Sequence, residues 1–466
     1  MSPYYVPNNN RRVGFYYYPD SLHYQIKDLH RWLPELKALG TQWLVLNTPG
    51  DIAIPEHFIT GLVKEGIEPI LHFNISLESP PSAAELQPLL QAYHNWGVHY
   101  IVLFDRPNSH KQWNSTAWTQ NDLVGRFLDI FLPLVESVID TGMIPVFPPL
   151  EPGGAYWDTA FLRAALQEIE DRGLSHLFDK LVLGAYAWAH NLPLNWGAGG
   201  PERWPGARPY FTPEGEQDQR GFYIFDWYTA IAQAVTGGSL PILLLACGSR
   251  PGDDLDSDLA PVDDFEHGQR NLQIARLLAD EQESMMDGVD LDTIPENVLA
   301  GCFWLLSTDE GSEYAQQSWY QPDGNILPAV QFFQGWVADS DFHIHTVEKT
   351  GAPVEQEIQK NIAPPLEKTT LPELSEERPI NHYLLLPQFS SGINDWYLDA
   401  IRPYVKKHAP TVGFSIEEAR RAKKVTIIGE PNAFPPDTIG SLSSQGCSVL
   451  YIGGDGTSIA TQLKTI

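Results

Sequence analysis

Residues 100–108 read YIVLFDRPN, an apolar run followed by Asp105, Arg106, Pro107 and Asn108. A run of this kind, rich in β-branched and aromatic residues and closed by a turn-forming group, reads as a strand buried on both faces. The pattern recurs along the chain as VGFYYYP (13–19), QWLVLNT (42–48), EPILHFN (68–74), IPVFPP (144–149), LVLGAYAW (181–188), PILLLAC (241–247) and GCFWLLS (301–307). Between the runs lie segments of helical periodicity, such as HYQIKDLHRWLPELKALG (23–40) and NDLVGRFLDIFLPLVESVIDTG (121–142), several closed by glycine. Eight strand–helix units predict a (β/α)8 TIM barrel over residues 1–340, closed by a helix around ILPAVQFFQGW near residue 337. A doubly wound open sheet is the competing arrangement.

Beyond the barrel, residues 341–379 read as a linker, with the stretch 347–379 rich in Pro, Glu and Lys. Residues 380–466 then give three strand-like runs, HYLLLP, KKVTIIG and CSVLYIGG, which predict a small α/β domain able to contact protein partners. The longest insertion, residues 190–227, follows the sixth strand and is expected to help build a site, as loops on that end of a barrel do.

Composition narrows the function classes. Hydrophobic residues make up 43% of the 466, and the formal net charge is −29. No basic stripe stands out, which argues against nucleic acid and favours a neutral or cationic partner. Three cysteines are too few and too scattered for a disulfide framework or a zinc site. Neither a signal peptide nor an 18-residue apolar span is visible, so the cytoplasm is the default compartment. An extracellular protein whose leader was removed stays open. The acidic loop DDLDSDLAPVDDFE (253–266) lacks the Gly and Glu that a calcium loop of the EF-hand type places sixth and twelfth. No metal and no cofactor are expected.

Chemistry in such a barrel sits at the C-terminal ends of the strands. Read in order, those ends supply Tyr18, Asp20, Asn47, His72, Asn74, Asp105, Arg106, Asn108 and Glu151, then Tyr186, Trp188, His190, Asn191, Ser249, Trp304 and Asp309. Aromatic faces stack on sugar rings, and amides, imidazoles and carboxylates bind ring hydroxyls, so the set predicts a pocket for carbohydrate or another small polar ligand. Tyr18, Asn47, His72, Asn74, Arg106, Asn108, Trp188, His190, Asn191 and Trp304 are the expected binding residues.

The order of YIVLFDRPN, PVFPPLEPGGAYWDTAFLRAAL, AYAWAHNLPLNW, LPILLLACGS and CFWLLS resembles clan-A glycoside hydrolases. More closely it resembles bacterial barrel proteins related to them that carry a C-terminal α/β module. The resemblance implies an acid/base Glu after strand four and a nucleophilic Glu at the end of strand seven. Here those positions hold Arg106 and Ala246. A guanidinium cannot serve as proton donor, and a methyl group cannot attack an acetal. The implied protein is a degenerate barrel that binds carbohydrate or serves as a subunit of an assembly.

An active hydrolase with relocated carboxylates, Glu151 with Asp309 or Asp105, is the alternative. Strand alternation turns Asp105 away from the mouth if Arg106 faces it, unless a bulge intervenes. Glu151 and Asp309 would have to supply an inverting separation of about 6.5–9.5 Å. Arg106 would offer a fork for a uronic or sialic carboxylate. Cys247 reads as a small core residue rather than a reactive thiol. GGDGTSIA (453–460) resembles the phosphate-cradling turn of NAD kinases and lipid kinases, but reads better as an ordinary strand–helix turn.

Overall fold

The structure is a computed structural model that describes residues 4–281, 291–350, 380–387, 395–408, 410–429 and 447–452, with single positions at 434, 442, 443, 459 and 463. It divides into two compact units, Met1–Pro353 and Val354–Ile466.

In the first unit eight parallel strands close into a barrel in sequential order, so the open sheet is excluded. They are β1 (Val13–Tyr16), β2 (Trp43–Thr48), β3 (Glu68–Phe73), β4 (Tyr100–Leu103), β5 (Ile144–Phe147), β6 (Val182–Trp188), β7 (Ile242–Gly248) and β8 (Val298–Phe303). Around them run α1 (Ile26–Ala38), α2 (Glu56–Lys64), α3 (Ala83–Asn95), the short α4 (Ser115–Trp118), α5 (Leu123–Asp140), α6 (Asp158–Asp171), the short α7 (Gly200–Arg203), α8 (Ile224–Thr236) and α9 (Asp264–Leu278). The closing helix α10 spans Pro328–Thr350, so it runs on into the stretch read as linker. Residues 351–379 of that linker, and the turn at 453–458, lie outside the described residues.

Local chemistry explains the helix ends. Ser82 and Glu85 form a reciprocal capping box at the start of α3. The Asp263 carboxylate accepts from the Phe265 and Glu266 amides at the start of α9. Gly142 closes α5 at a φ of 86°, a conformation that costs other residues a Cβ clash.

Alternation along the strands sorts the side chains into two cores. Trp43, Val45, Ile70, Tyr100, Val102 and Leu243 fill the barrel interior. Phe15, Leu44, Leu71, Ile101, Leu244 and Cys247 face the helices. Gly14 is required where β1 passes β2: a Cβ there would meet the Trp43 carbonyl oxygen at 2.6 Å.

The second unit carries a parallel sheet in the order β10-β9-β11-β12, formed by β9 (Ile380–Leu385), β10 (Thr411–Gly413), β11 (Ala422–Ile428) and β12 (Ser448–Ile452). The three expected runs become β9, β11 and β12. β10 was not foreseen. Leu384, Ile428 and Ile452 pack on one face with Ile401 and Tyr404 of α11 (Asp395–His408). Tyr383, Val425 and Ile427 pack on the other face with Ala419 of α12 (Ile416–Ala419).

Candidate functional site

β4 ends at Leu103, and the chain then leaves strand geometry: Phe104 has φ 68° and Arg106 has φ 43°. Two left-handed residues without glycine are uncommon, and they cancel the strict alternation of a strand. Alternation therefore does not turn Asp105 away from the mouth: the irregular backbone is the exception under which it is re-aimed. Arg106 Nε donates to Asp105 Oδ2 at 2.8 Å, and Arg106 Nη1 donates to Glu151 Oε2 at 3.2 Å. The other Asp105 oxygen accepts from the Tyr186 hydroxyl at 2.7 Å. The Arg106 amide is bound to the Pro149 carbonyl, which ties the loop after β4 to the loop after β5. Burial works against the guanidinium charge, but Asp105, Tyr186 and Glu151 outweigh it and hold Arg106 protonated.

Aromatic rings continue from this cluster. Tyr186 stacks on Trp188 at 5.7 Å between centroids, Trp188 meets Trp304 edge-on at 6.0 Å, and Trp304 touches Tyr16 at 4.9 Å and Tyr314 at 5.2 Å. Trp188, Trp304 and Tyr314 are partly exposed at the mouth. Arg250 lies over the Trp188 ring at 4.4 Å and is paired with Asp253. His72 is buried beneath. Its Nε2 donates to the Phe104 carbonyl, and burial lowers its pKa, so the neutral ring accepts from the Tyr16 hydroxyl through Nδ1.

Position 246 lies on the inner wall of the barrel. Ala246 is fully buried in the interior core beside Tyr186, its register partner on β6. Cys247 faces the helices, and burial raises its thiol pKa far above the ordinary range, which fits a core residue.

Several expected binding residues have other work. Asn108 is wholly buried: its amide donates to the Glu151 and Tyr156 carbonyls and its oxygen accepts from the Glu151 amide. It clamps two loops and has no face for a ligand. Asn191 binds the Asp256 and Ala260 carbonyls and the Asp256 amide, fixing the acidic loop. Asn47 donates to the Pro19 carbonyl. His190 sits 3.7 Å from Asp253. Asn74 stands exposed at the end of β3. The long insertion reaches the loop after β5 where the Tyr210 hydroxyl accepts from the Trp157 amide.

Asp309 belongs to a separate cleft. Its carboxylate is 3.2 Å from His23 Nε2, with Asp20 at 3.5 Å on the same nitrogen. Tyr18 stacks on His23 at 3.9 Å, so it too belongs here and not to the aromatic set. Lys27, Arg31 and Glu310 complete the cleft, which has a volume of about 550 Å³. Glu151 and Asp309 thus enter different clusters, and the pairing of those two carboxylates is set aside. Asp20, His23 and Asp309 each offer one atom that could ligate a cation, and His23 Nε2 is a buried nitrogen without a hydrogen-bond partner among the described residues.

Tyr16, Tyr314, His23 and Arg250 were not foreseen as site residues. Tyr16 had a signal in its place on the inward face of β1; His23 opens the segment read as the first helix and lies just before α1, and Tyr314 and Arg250 lie in loops without periodicity.

No protein-family model matches the sequence, and no curated protein matches it. Solved structures do. A family 39 glycoside hydrolase from Bacteroides cellulosilyticus shares 11% identity over 71% of this chain and 64% of its own, with a TM-score of 0.47. A 4-O-α-L-rhamnosyl-β-D-glucuronidase from Fusarium oxysporum shares 10% over 72% of this chain and 70% of its own, with a TM-score of 0.40. Saccharomyces cerevisiae Gas2p, in complex with laminaritriose and laminaritetraose, shares 12% over 82% and 75%, with a TM-score of 0.36. The chain spans just under two thirds of the first of these proteins. At such similarity the function is read from the site's own geometry.

Proposed function

We propose that this chain is a glycosidase-type barrel that binds carbohydrate at its mouth and does not cleave it by the retaining mechanism. One observation carries the reading. The guanidinium at the expected acid position holds both nearby carboxylates, Asp105 and Glu151, while the expected nucleophile position is a buried methyl. Retention needs two ionisable carboxyls about 5–5.5 Å apart, one of them free to attack and the other carrying a proton. The partly exposed rings of Trp304 and Tyr314 are the surface left for sugar stacking.

A second reading is favoured by the same contact. Because one guanidinium touches Asp105 and Glu151, these two carboxylates converge as an inverting pair would, though both are occupied as acceptors. Incubation with a panel of aryl glycosides and oligosaccharides separates the two. Binding reads as quenching of Trp fluorescence, cleavage as released product. The expected result is quenching with no product. Turnover that disappears in Glu151→Gln would overturn the non-hydrolytic reading in favour of the pair.

A further inference from the structure

The cleft at Asp309 holds a group of side chains that the carbohydrate reading does not use. β1 and β8 are hydrogen-bonded neighbours, and past their ends the Leu306 amide binds the Tyr16 carbonyl, so the loops they feed stand side by side. Asp20 and His23 from one loop meet Asp309 from the other, with no two of their ligating atoms more than 4.8 Å apart. His23 Nε2 lies 3.2 Å from Asp309 Oδ2 and 3.5 Å from Asp20 Oδ2. This nitrogen is closed off from solvent, and it has no hydrogen-bond partner among the described residues. A polar nitrogen left so is costly. An unprotonated Nε2 sets its lone pair against two carboxylates, and the three atoms together call for a positive charge among them. A proton on Nε2 would bond to one of the acids, and no such bond is formed. The separations instead suit a metal ion. With bonds of about 2.0–2.2 Å, neighbouring ligands of a tetrahedral zinc stand about 3.3–3.6 Å apart. Two of the donors are held in place by other contacts. Asp20 Oδ1 accepts from the Leu22 amide and leaves Oδ2 for the ion, while the His23 ring lies on buried Tyr18 and its carbonyl accepts from the Tyr17 hydroxyl. Asp309 is exposed, so its carboxylate can rotate to close the set.

We propose that Asp20, His23 and Asp309 form a zinc site whose fourth coordination position opens into the cleft of about 550 Å³. An imidazole beside two carboxylates suits zinc, whereas calcium and magnesium take oxygen ligands. Lys27 and Arg31 line the same cleft and oppose the ion's charge, and Asp28 and Glu310 offset them. Three protein ligands with one open position mark an exchangeable ion rather than a structural one, so the barrel keeps its fold when the ion leaves.

The test uses the full chain, stripped with a chelator, exchanged into chelator-free buffer and titrated by calorimetry with zinc, magnesium and calcium chlorides in separate runs. One equivalent of zinc is expected to bind, at least about tenfold more tightly than either other ion. His23→Ala and Asp309→Asn should each weaken zinc at least about tenfold, since losing even a residue that supports a ligand costs about 10–100-fold. His57→Ala removes an exposed imidazole on α2 that does not line the cleft, and should leave zinc binding unchanged. Circular dichroism checks that each variant folds, and Asp309→Asn keeps the shape of an exposed side chain, so it answers the question even where His23→Ala does not fold. No saturable zinc binding overturns the site and leaves His23 as an imidazolium between two acids. Zinc binding untouched by Asp309→Asn and by a folded His23→Ala marks loose attraction to a chain of net charge −29, and also overturns it. Calcium or magnesium bound as tightly as zinc overturns the choice of metal.

Discussion

At the N-terminal end of the barrel the acid, Glu68, is buried beneath His99 and Tyr5, which are themselves part exposed; at the C-terminal end the acid Glu151 is itself about two fifths exposed beside Arg106. Glu68 is almost wholly buried, accepts from the His99 amide and sits 3.0 Å from His99 Nδ1. Tyr5 lies flat on the His99 ring at 3.9 Å, and the Tyr5 carbonyl accepts from the Tyr100 hydroxyl. Asn10 adds bonds to Trp43 Nε1 and to the Leu299 carbonyl. Here the N-terminal segment covers the barrel floor and satisfies its polar groups. At the other end Glu151 and Arg106 are each about two fifths exposed, and a carboxylate oxygen takes no bond. Similar residue types serve stability below and remain available for a ligand above, as the two ends of this architecture generally divide their tasks.

The sharpest challenge to the comparison is to rebuild the hydrolase. Arg106→Glu with Ala246→Glu places carboxyls at the two positions that the resemblance gives to the retaining pair. It is expected to yield no measurable turnover of aryl glycosides and to cost about 5 kcal/mol or more in stability, with the added volume and the buried charge each contributing. Ala246 is enclosed by the interior core, and position 106 carries a left-handed backbone that a strand-end acid would not share. Strong hydrolysis by a folded double variant would show that the supporting shell is intact and that only two residues separate this protein from a hydrolase.

The floor is challenged by Trp43→Ala. Trp43 is fully buried, donates to Asn10 and lies 5.5 Å from the Tyr100 ring. Its truncation should cost about 4 kcal/mol in denaturant unfolding. Ligand binding at the opposite end should survive wherever the variant folds. A loss under about 1 kcal/mol would mean the floor is not where the barrel's stability resides.

The barrel was legible because the strands are largely apolar runs separated by segments of helical periodicity, several of which, such as α3 and α9, start at a side-chain cap. β10 escaped because TVG is too short to show a period. Arg106 and Ala246 were legible as residues at strand ends, since the runs before them set their positions. The direction of Asp105 was not, because alternation fails at Phe104 and Arg106 and neither residue is a glycine that would have announced it. Asn108 and Asn191 were misread for a different reason. An amide that binds a sugar hydroxyl and one that clamps a loop carbonyl are the same residue type at the same strand end, and only burial separates them.

A pH series separates a third region from both ends. His267 on α9 is wholly buried, edge-on to Trp319 at 5.5 Å, and neither ring nitrogen has a hydrogen-bond partner among the described residues. Burial lowers its pKa to about 4. The unfolded chain then binds the proton first, so stability is lost as pH falls from about 6.5 to about 4, by about 3 kcal/mol over the window. Asp158 acts with the opposite sign: burial raises it to about 6, so its contribution to stability falls as pH rises from about 3.8 to about 6. The readout is therefore the difference between His267→Phe and the parent protein. The variant should lack the acid-side loss attributed to the imidazole. Parallel pH curves would show that His267 is not the group that titrates.

The smallest effect belongs to the open end, and it bears most directly on the comparison. Glu151→Gln keeps the shape of the side chain and removes its charge from a contact in which both partners are about two fifths exposed. Pairs so solvated contribute between zero and about 1 kcal/mol, and Arg106 keeps Asp105 after the change. Chemical denaturation should therefore shift by no more than about 0.5 kcal/mol. Asn108→Ala, in the same pair of loops, is the contrast: it strips partners from buried backbone groups and should cost about 2 kcal/mol. If Glu151→Gln proved the more costly of the two, the carboxylate would be a structural element of the mouth, like Glu68 at the floor, and the distinction between a sealed end and an available one would fail.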